Sequence, residues 1–438
     1  MSVLQAASRR SARRLPVWPG VVVVGGALAF VAATWYLKFF VGGYWFGAPL
    51  APLFLYPDVE VSLWALPAAL VFVAGVAAAP PLRDARLSPG AFAGLALSLG
   101  LAVRLALAAA RDGSAGWLSG LGVPAEAANE YLGALPALQF GWGTFLDRFA
   151  EVAPSFPTHP SAHPPGLLLL IDALGITTNA QMATFEIAGG ALATPLAYLL
   201  ARRFLDEAGA RTAALLFVFS PAIMIYGVTS TDAFFVTLGL AASCALVARS
   251  EAARWLGAAL LAIASFFSYS LLAVGAWAAL VALVREGPVS AVRLGVQCAA
   301  ALVALYAGLW ALTGFDLFGA LDSADLVYRI GVYYSRPYAY WLLGSPVAWV
   351  VALGLPIAWY AARAARAGYA AAIALVGIVV VAAVGGYTKS ETERIWMFMV
   401  AFACIGAAAV MPGRRLVPVL ALLAAEAFVI ELLTDTKY

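Results

Sequence analysis

The sequence predicts an all-α, polytopic integral membrane protein of about 13 transmembrane helices, with juxtamembrane helices on the outer side. Three observations lead there. Of 438 residues, 64% are hydrophobic and 11% charged, against about 25% charged in ordinary soluble domains. Apolar runs long enough for a bilayer-spanning helix, about 20 residues each, recur along the chain. Basic residues fall in short clusters between those runs: Arg9, Arg10, Arg13 and Arg14; Arg83 and Arg86; Arg202, Arg203 and Arg211; Arg249 and Arg254; Arg285 and Arg293; Arg363 and Arg366; Arg414 and Arg415. These hold 17 of the 26 Lys and Arg. With all of them on the cytoplasmic side the pattern is positive-inside, which puts the amino terminus in the cytoplasm. The net charge of +3 adds nothing further, and nothing in the composition points to nucleic acid.

In chain order, residues 1–18 form a cytoplasmic basic tail, and 19–438 a single transmembrane domain. The apolar stretch after Pro19 is too long for a cleaved signal peptide and reads as a first span, 20–40. Spans follow at 61–79 and 91–110. An outer segment, 111–165, comes next. The run 166–176 reaches only about 17 Å at about 1.5 Å per residue, so it is expected to be a juxtamembrane or half-inserted helix that stays on the outer side. Later spans are expected at 181–200, 212–228, 232–247, 255–270, 271–283 and 294–313. An outer loop at 314–340 precedes spans at 341–359 and 370–385. A charged outer loop, 387–395, then leads into spans at 396–411 and 416–433. Cys244, Cys298 and Cys404 fall inside apolar runs and read as small buried hydrophobes, not as disulfide or metal ligands.

Under this topology the ionisable residues outside the Arg clusters gather on the outer face. They include Asp58, Glu60, Arg111, Glu126, Glu130, Asp147, Arg148, Glu151, His159, His163, Asp232, Lys389, Glu391, Glu393 and Arg394. His159 and His163 are the only histidines. Their spacing of four would put two metal ligands on one face of a helix. Pro160, Pro164 and Pro165 argue against helix there, and no third ligand is evident, so a zinc site is not expected. Asp232, after Thr229-Ser230-Thr231, reads as the N-cap of a span. Glu186 and Arg104 are charges inside spans, which are costly and often functional; an ion pair between them is one arrangement the sequence allows. Tyr328, Tyr333, Tyr334, Tyr338, Tyr340 and Trp341 suit an interfacial aromatic belt, or a platform for a sugar ring.

Three segments carry a family likeness. These are Ala128-Asn129-Glu130-Tyr131-Leu132 with Phe145-Leu146-Asp147-Arg148-Phe149; His163-Pro164-Pro165-Gly166; and Thr388-Lys389-Ser390-Glu391-Thr392-Glu393-Arg394-Ile395-Trp396. With Ala201-Arg202-Arg203 at the end of a later span, the chain resembles the GT-C superfamily of membrane glycosyltransferases. Relevant branches are the protein O-mannosyltransferases, the lipid A aminoarabinose transferases and the Rgt-like proteins. The chain departs from the family in two ways: its acidic pair is reduced to Asn129-Glu130, and two spans precede the usual first one.

The resemblance implies transfer of a sugar from a polyprenyl-phosphate donor to a hydroxyl on a glycan, lipid or protein acceptor. The reaction would occur at the extracytoplasmic face of the cell membrane, among membrane lipids. Such chemistry needs a carboxylate to take the acceptor proton and cations for the phosphate leaving group. Glu130 is the candidate catalytic base, with Asp58 the runner-up. Arg394 and Lys389 are candidates for gripping the phosphate; their alternative is an ion-pair network with Glu391 and Glu393. His163, His159, Tyr131 and Asp232 complete the candidate substrate-binding set. A divalent cation held by Asp322 and Asp325 is left open as a cofactor. The competing reading is a transporter or flippase of a lipid-linked or amphipathic substrate.

Overall fold

The computed structural model describes residues 15–122, 127–386 and 388–436. The basic cluster Arg9 to Arg14 and Glu126 lie outside them. The protein is 79% helical. Its one two-stranded sheet pairs Tyr56–Pro57 with Thr434–Asp435, antiparallel, with Tyr56 opposite Asp435.

Among the described residues, seven helices are long and apolar enough to cross a membrane: Trp18–Val41, Ala65–Asp84, Pro89–Gly122, Asn179–Ala201, Tyr269–Glu286, Pro288–Thr313 and Gly413–Leu433. Two bent pairs raise the number to nine if each is one span. Glu207–Val218 meets Pro221–Val228 at 55°, and Tyr338–Leu353 meets Leu355–Arg366 at 113°. Both breaks are where the chain should break. Pro221 and Pro356 stand in the first turn of their second helices, where proline's missing N–H removes no intrahelical bond.

The count of about 13 exceeds this because several expected spans are shorter helices. Asp232–Leu246, Ala370–Gly385 and Met397–Val410 each have 17 residues or fewer, and at about 1.5 Å per residue they fall short of a ~30 Å hydrocarbon core. The expected span 255–270 is the 15-residue helix Glu251–Ser265.

Local chemistry sets several boundaries. Ser88 caps Pro89–Asp112 by accepting from the Ala91 N–H at 3.2 Å. Thr178 and Gln181 form a reciprocal capping box at the start of Asn179–Ala191. Besides two small clusters around Ala51 and Trp341 and around Leu53 and Ala348, most of the described core is a large apolar cluster that includes residues from Phe72 to Ala427. At its centre Trp277 stacks on Phe402, with ring centroids 3.8 Å apart and planes 5° apart.

Two groups of polar contacts join segments far apart in the chain. In one, Arg83 donates to Gly413 O, Arg211 to the carbonyls of Arg83, Ala85 and Leu87, and Arg254 to Glu286. In the other, the loop 42–64, the segment 127–165, the loop 333–337 and the loop 388–395 meet one another. A helix stands in the run 166–176 as Gly166–Ala173, with Gly166, Leu167, Leu168 and Ile171 buried. Its first residue lies against another backbone: the Gly166 N–H donates to Phe266 O at 2.9 Å, and a Cβ there would come within 2.3 Å of that oxygen. This contact fixes where the His-Pro-Pro segment enters the helix.

Candidate functional site

Segment 127–165 is built from short pieces: a 3-10 helix over Tyr131–Phe140, then helices Trp142–Asp147, Phe149–Val152 and Thr158–Ala162. The last of these corrects an expectation. Pro160 was taken to exclude helix around His159, but it stands at the third helical position, within the first turn, where no N–H is required. His159 therefore sits on a helical turn, and its N–H donates to Asn129 O at 3.0 Å. This bond lays the two motif segments side by side.

Four segments then converge on one buried cluster. His159 Nδ1 is 3.0 Å from Glu130 Oε1, and its Nε2 is 3.4 Å from a terminal guanidinium nitrogen of Arg394. Arginine can only donate, so in this contact Nε2 accepts, and Nδ1 donates to Glu130. The other Arg394 terminal nitrogen donates to Asp232 Oδ2 at 2.8 Å, while the nitrogen facing His159 also donates to Glu391 Oε2 at 2.9 Å. Arg336 donates to the other Glu391 oxygen at 2.6 Å. Glu130 Oε2 is buried with no hydrogen-bond partner among the described residues. A buried carboxylate oxygen left bare is costly, so such an atom marks a place where something else belongs.

The loop holding Glu391 is strained to do so. Ser390 and Glu391 both take left-handed backbone, φ 68° and 57°, at a cost of about 1 kcal/mol or more each for residues with a Cβ. Burial alone would raise the Glu391 carboxyl, but the Arg336 and Arg394 guanidiniums outweigh it and hold it down at about 2. Glu393, two residues on, faces the other way. Its Oε1 accepts the Phe54 N–H, and no cation pairs with it among the described residues. Burial, with the Glu391 charge adding to it, pushes its carboxyl up to about 7.

Asp232 is not the N-cap expected of it. Thr231 holds that position, Asp232 is the first helical residue, and its carboxylate is turned to Arg394 and Ser230. The guanidinium offers a charged bond where the helix end offers only N–H groups, so the ion pair wins. Tyr131 and His163 lie beside the cluster. His163 Nδ1 is 2.9 Å from both the Tyr131 hydroxyl and His159 O. The carbonyl can only accept, so Nδ1 carries the proton. Burial lowers the His163 imidazole and pushes the Tyr131 phenol well up, so both are neutral near pH 7.

Lys389 is directed elsewhere. Its ammonium lies 4.1 Å from the Tyr333 ring and 5.5 Å from the Tyr328 ring, while its carbonyl accepts from Arg336 at 2.8 Å. The expected network therefore forms for Arg394 with Glu391, but takes in neither Lys389 nor Glu393. Asp58, the runner-up base, is bound with Glu60 to the buried Arg111. Arg104 and Glu186 do not pair. Arg104 donates to Gly190 O and Thr194, whereas Glu186 accepts from Thr231 at 2.5 Å, beside Asp232. Arg148 and Glu151 form an exposed pair. Asp322 is exposed and Asp325 is paired with Arg329; among the described residues no group of three or more His, Cys, Asp or Glu is placed to hold a metal ion.

Sequence reasoning missed Arg336, whose role comes only from the fold. The Glu186–Arg104 pair that the sequence allows does not form, and Glu186 stands beside the cluster, bound by Thr231; a carboxylate within a span is itself a signal. No family model, curated protein or solved structure matches the chain.

Proposed function

We propose that the chain is a membrane glycosyltransferase of the GT-C type, moving a sugar from a polyprenyl-phosphate donor to a hydroxyl acceptor at the extracytoplasmic face. In this reading the shorter apolar helices complete about 13 crossings. The observation that carries it is the buried meeting of Glu130, His159, Asp232 and Arg394, with Glu130 Oε2 bare.

Glu130 is the base. Its open oxygen takes the acceptor proton as the acceptor oxygen bonds to the sugar carbon and the donor phosphate leaves. His159 holds the other oxygen and keeps the carboxylate oriented. Sugar transfer builds positive charge on the ring, and the carboxylates of Glu130 and Asp232 stabilise that charge where water is excluded. Arg394 is engaged by Asp232 and Glu391. Its contact with a donor phosphate replaces one of these, so donor binding and release of Asp232 are coupled.

Purified protein in vesicles, given a panel of radiolabelled polyprenyl-phosphate sugars and membrane-extract acceptors, tests this. Glu130→Gln is expected to lower transfer by about 100-fold or more, the usual range for a lost general base, with the same melting behaviour as the parent. Transfer at the parental rate in that variant removes Glu130 from the chemistry.

The two bent helix pairs favour a second reading, because transporters build their sites on broken helices. The same vesicles distinguish the two: substrate crossing the membrane with no sugar transferred supports transport.

A further inference from the structure

The loop carrying Arg394 has a second polar feature, a cavity of about 220 Å³. Its walls include Tyr328, Tyr333, Tyr338, Asp325, Arg329 and Lys389. Two of the tyrosines are fixed by their hydroxyls: Tyr328 donates to Gly386 O at 2.9 Å and Tyr338 to Val384 O at 2.7 Å. Their polar ends are thereby spent on the backbone, and their rings stand as walls. Gly386 permits this closeness. Its φ is +69°, and a Cβ there would lie 2.6 Å from the Tyr338 ring.

Charge in the cavity is unbalanced. Asp325 is paired with Arg329 at 2.6 Å. Lys389 is buried, yet among the described residues no carboxylate forms an ion pair with it. Its recorded contacts are a 3.4 Å bond to Tyr333 O and the faces of two tyrosine rings. An ammonium has three donors, and a buried charge without a counter-ion is costly. The Asp325 oxygen that does not face Arg329 is also buried with no hydrogen-bond partner among the described residues. A bare acceptor and an uncompensated cation, between aromatic walls, match a ligand that has hydroxyl donors, a flat ring face and a negative charge. Sites for drug-sized molecules hold ~300–1,000 Å³, so this one has room for one ring and none for a prenyl chain or an oligosaccharide.

We propose that this cavity binds a single monosaccharide-sized ring bearing a phosphate or a carboxylate, with Lys389 as the counter-ion, Tyr333 against the ring and Asp325 accepting from a hydroxyl. The binding goes beyond the transfer reaction and stands without it. It assigns Lys389 to a subsite separate from the Glu130 cluster. The two are joined through Arg336, which holds both Lys389 O and Glu391.

Saturation-transfer NMR on the full chain in detergent micelles tests the proposal with glucose 1-phosphate, glucuronate and glucose as observed probes. Inorganic phosphate, which has no carbon-bound proton, serves as a competitor read by displacement of the bound charged sugar. Glucose 1-phosphate or glucuronate is expected to bind, and which of the two does so distinguishes the phosphate source from the carboxylate. Glucose and inorganic phosphate are each expected to bind at least tenfold more weakly than the better charged sugar. Lys389→Gln should weaken that sugar tenfold or more, Tyr333→Leu several-fold, and Lys389→Arg little. Should Lys389→Gln not fold, Tyr333→Leu and Lys389→Arg still test the site. The proposal is overturned if neither charged sugar binds, if glucose or phosphate binds as tightly, or if the folded Lys389→Gln or Tyr333→Leu protein binds like the parent. Because no transfer is measured, this result is independent of whether Glu130 acts as a base.

Discussion

Arg111 and Arg394 are both buried arginines holding two carboxylates, and they serve different ends. Around Arg111 the partners are Asp58 and Glu60, whose side chains are 54% and 45% exposed. The guanidinium also donates to Thr434 O at 2.6 Å and Glu431 O at 3.1 Å. Its carboxylates keep their water, so little solvation is lost, and the group ties the loop 42–64, the end of Pro89–Asp112 and the carboxy-terminal segment together. Around Arg394 the carboxylates of Asp232 and Glu391 are only 10% and 19% exposed, and a further buried carboxylate, Glu130, ends in a bare oxygen. Three carboxylates, two arginines and an imidazole, with one carboxylate oxygen left bare, make a cluster that stability alone does not explain. A satisfied arginine marks a clamp. One whose neighbours are left short marks a site.

Removing each cation separates the two cases. Arg394→Met leaves Asp232 and Glu391 buried, and Glu391 with only Arg336; breaking a buried pair in this way costs about 4 kcal/mol. Arg111→Met leaves carboxylates that water can reach but strands three backbone carbonyls, those of Asp58, Glu431 and Thr434, so about 2–3 kcal/mol is expected. Thermal melts in detergent check the order, and a larger loss at Arg111 would break the contrast.

The pH dependence sharpens the same contrast. The Glu393 carboxyl, held at about 7 by burial against an ordinary 4.5, keeps its proton in the fold where the unfolded chain has lost it. That contribution is complete below about 4.5 and is lost as pH rises through about 7. Melting temperature should therefore fall as pH rises through this window, and Glu393→Gln should flatten the slope. Glu391, held at about 2, acts oppositely: its contribution is present above 4.5 and is lost as pH falls through 2.

The smallest effects come from single carboxylates. Asp58→Asn should cost under about 1 kcal/mol, as exposed ion pairs do. Glu130→Gln should leave stability within about 1 kcal/mol of the parent, because it removes a buried charge along with one hydrogen bond. A melt lowered by several degrees in Glu130→Gln would make Glu130 a structural group.

The helical class, the apolar helices and the short helix in the run 166–176 were legible in the sequence. Apolar run length and charge clustering are local properties of the chain, and they follow from what a bilayer tolerates. Glu130, His159 and Arg394 were legible as a set for a weaker reason, the order of short motifs. The misread positions share a cause. Asp232 was read from the residues before it, and Asp58 from its loop; in each the partner is an arginine far along the chain, Arg394 or Arg111. Spacing along the sequence carries no record of such a meeting.

Alone, then, the sequence determined what the chain is made to sit in, because hydrophobic runs act through their own length and composition. Tertiary structure decided which charges meet. It set Arg394 between Asp232 and Glu391, turned Lys389 into its own cavity, and left one oxygen of Glu130 bare. The physical reason is that an ion pair's strength depends on distance and burial, and both belong to the fold.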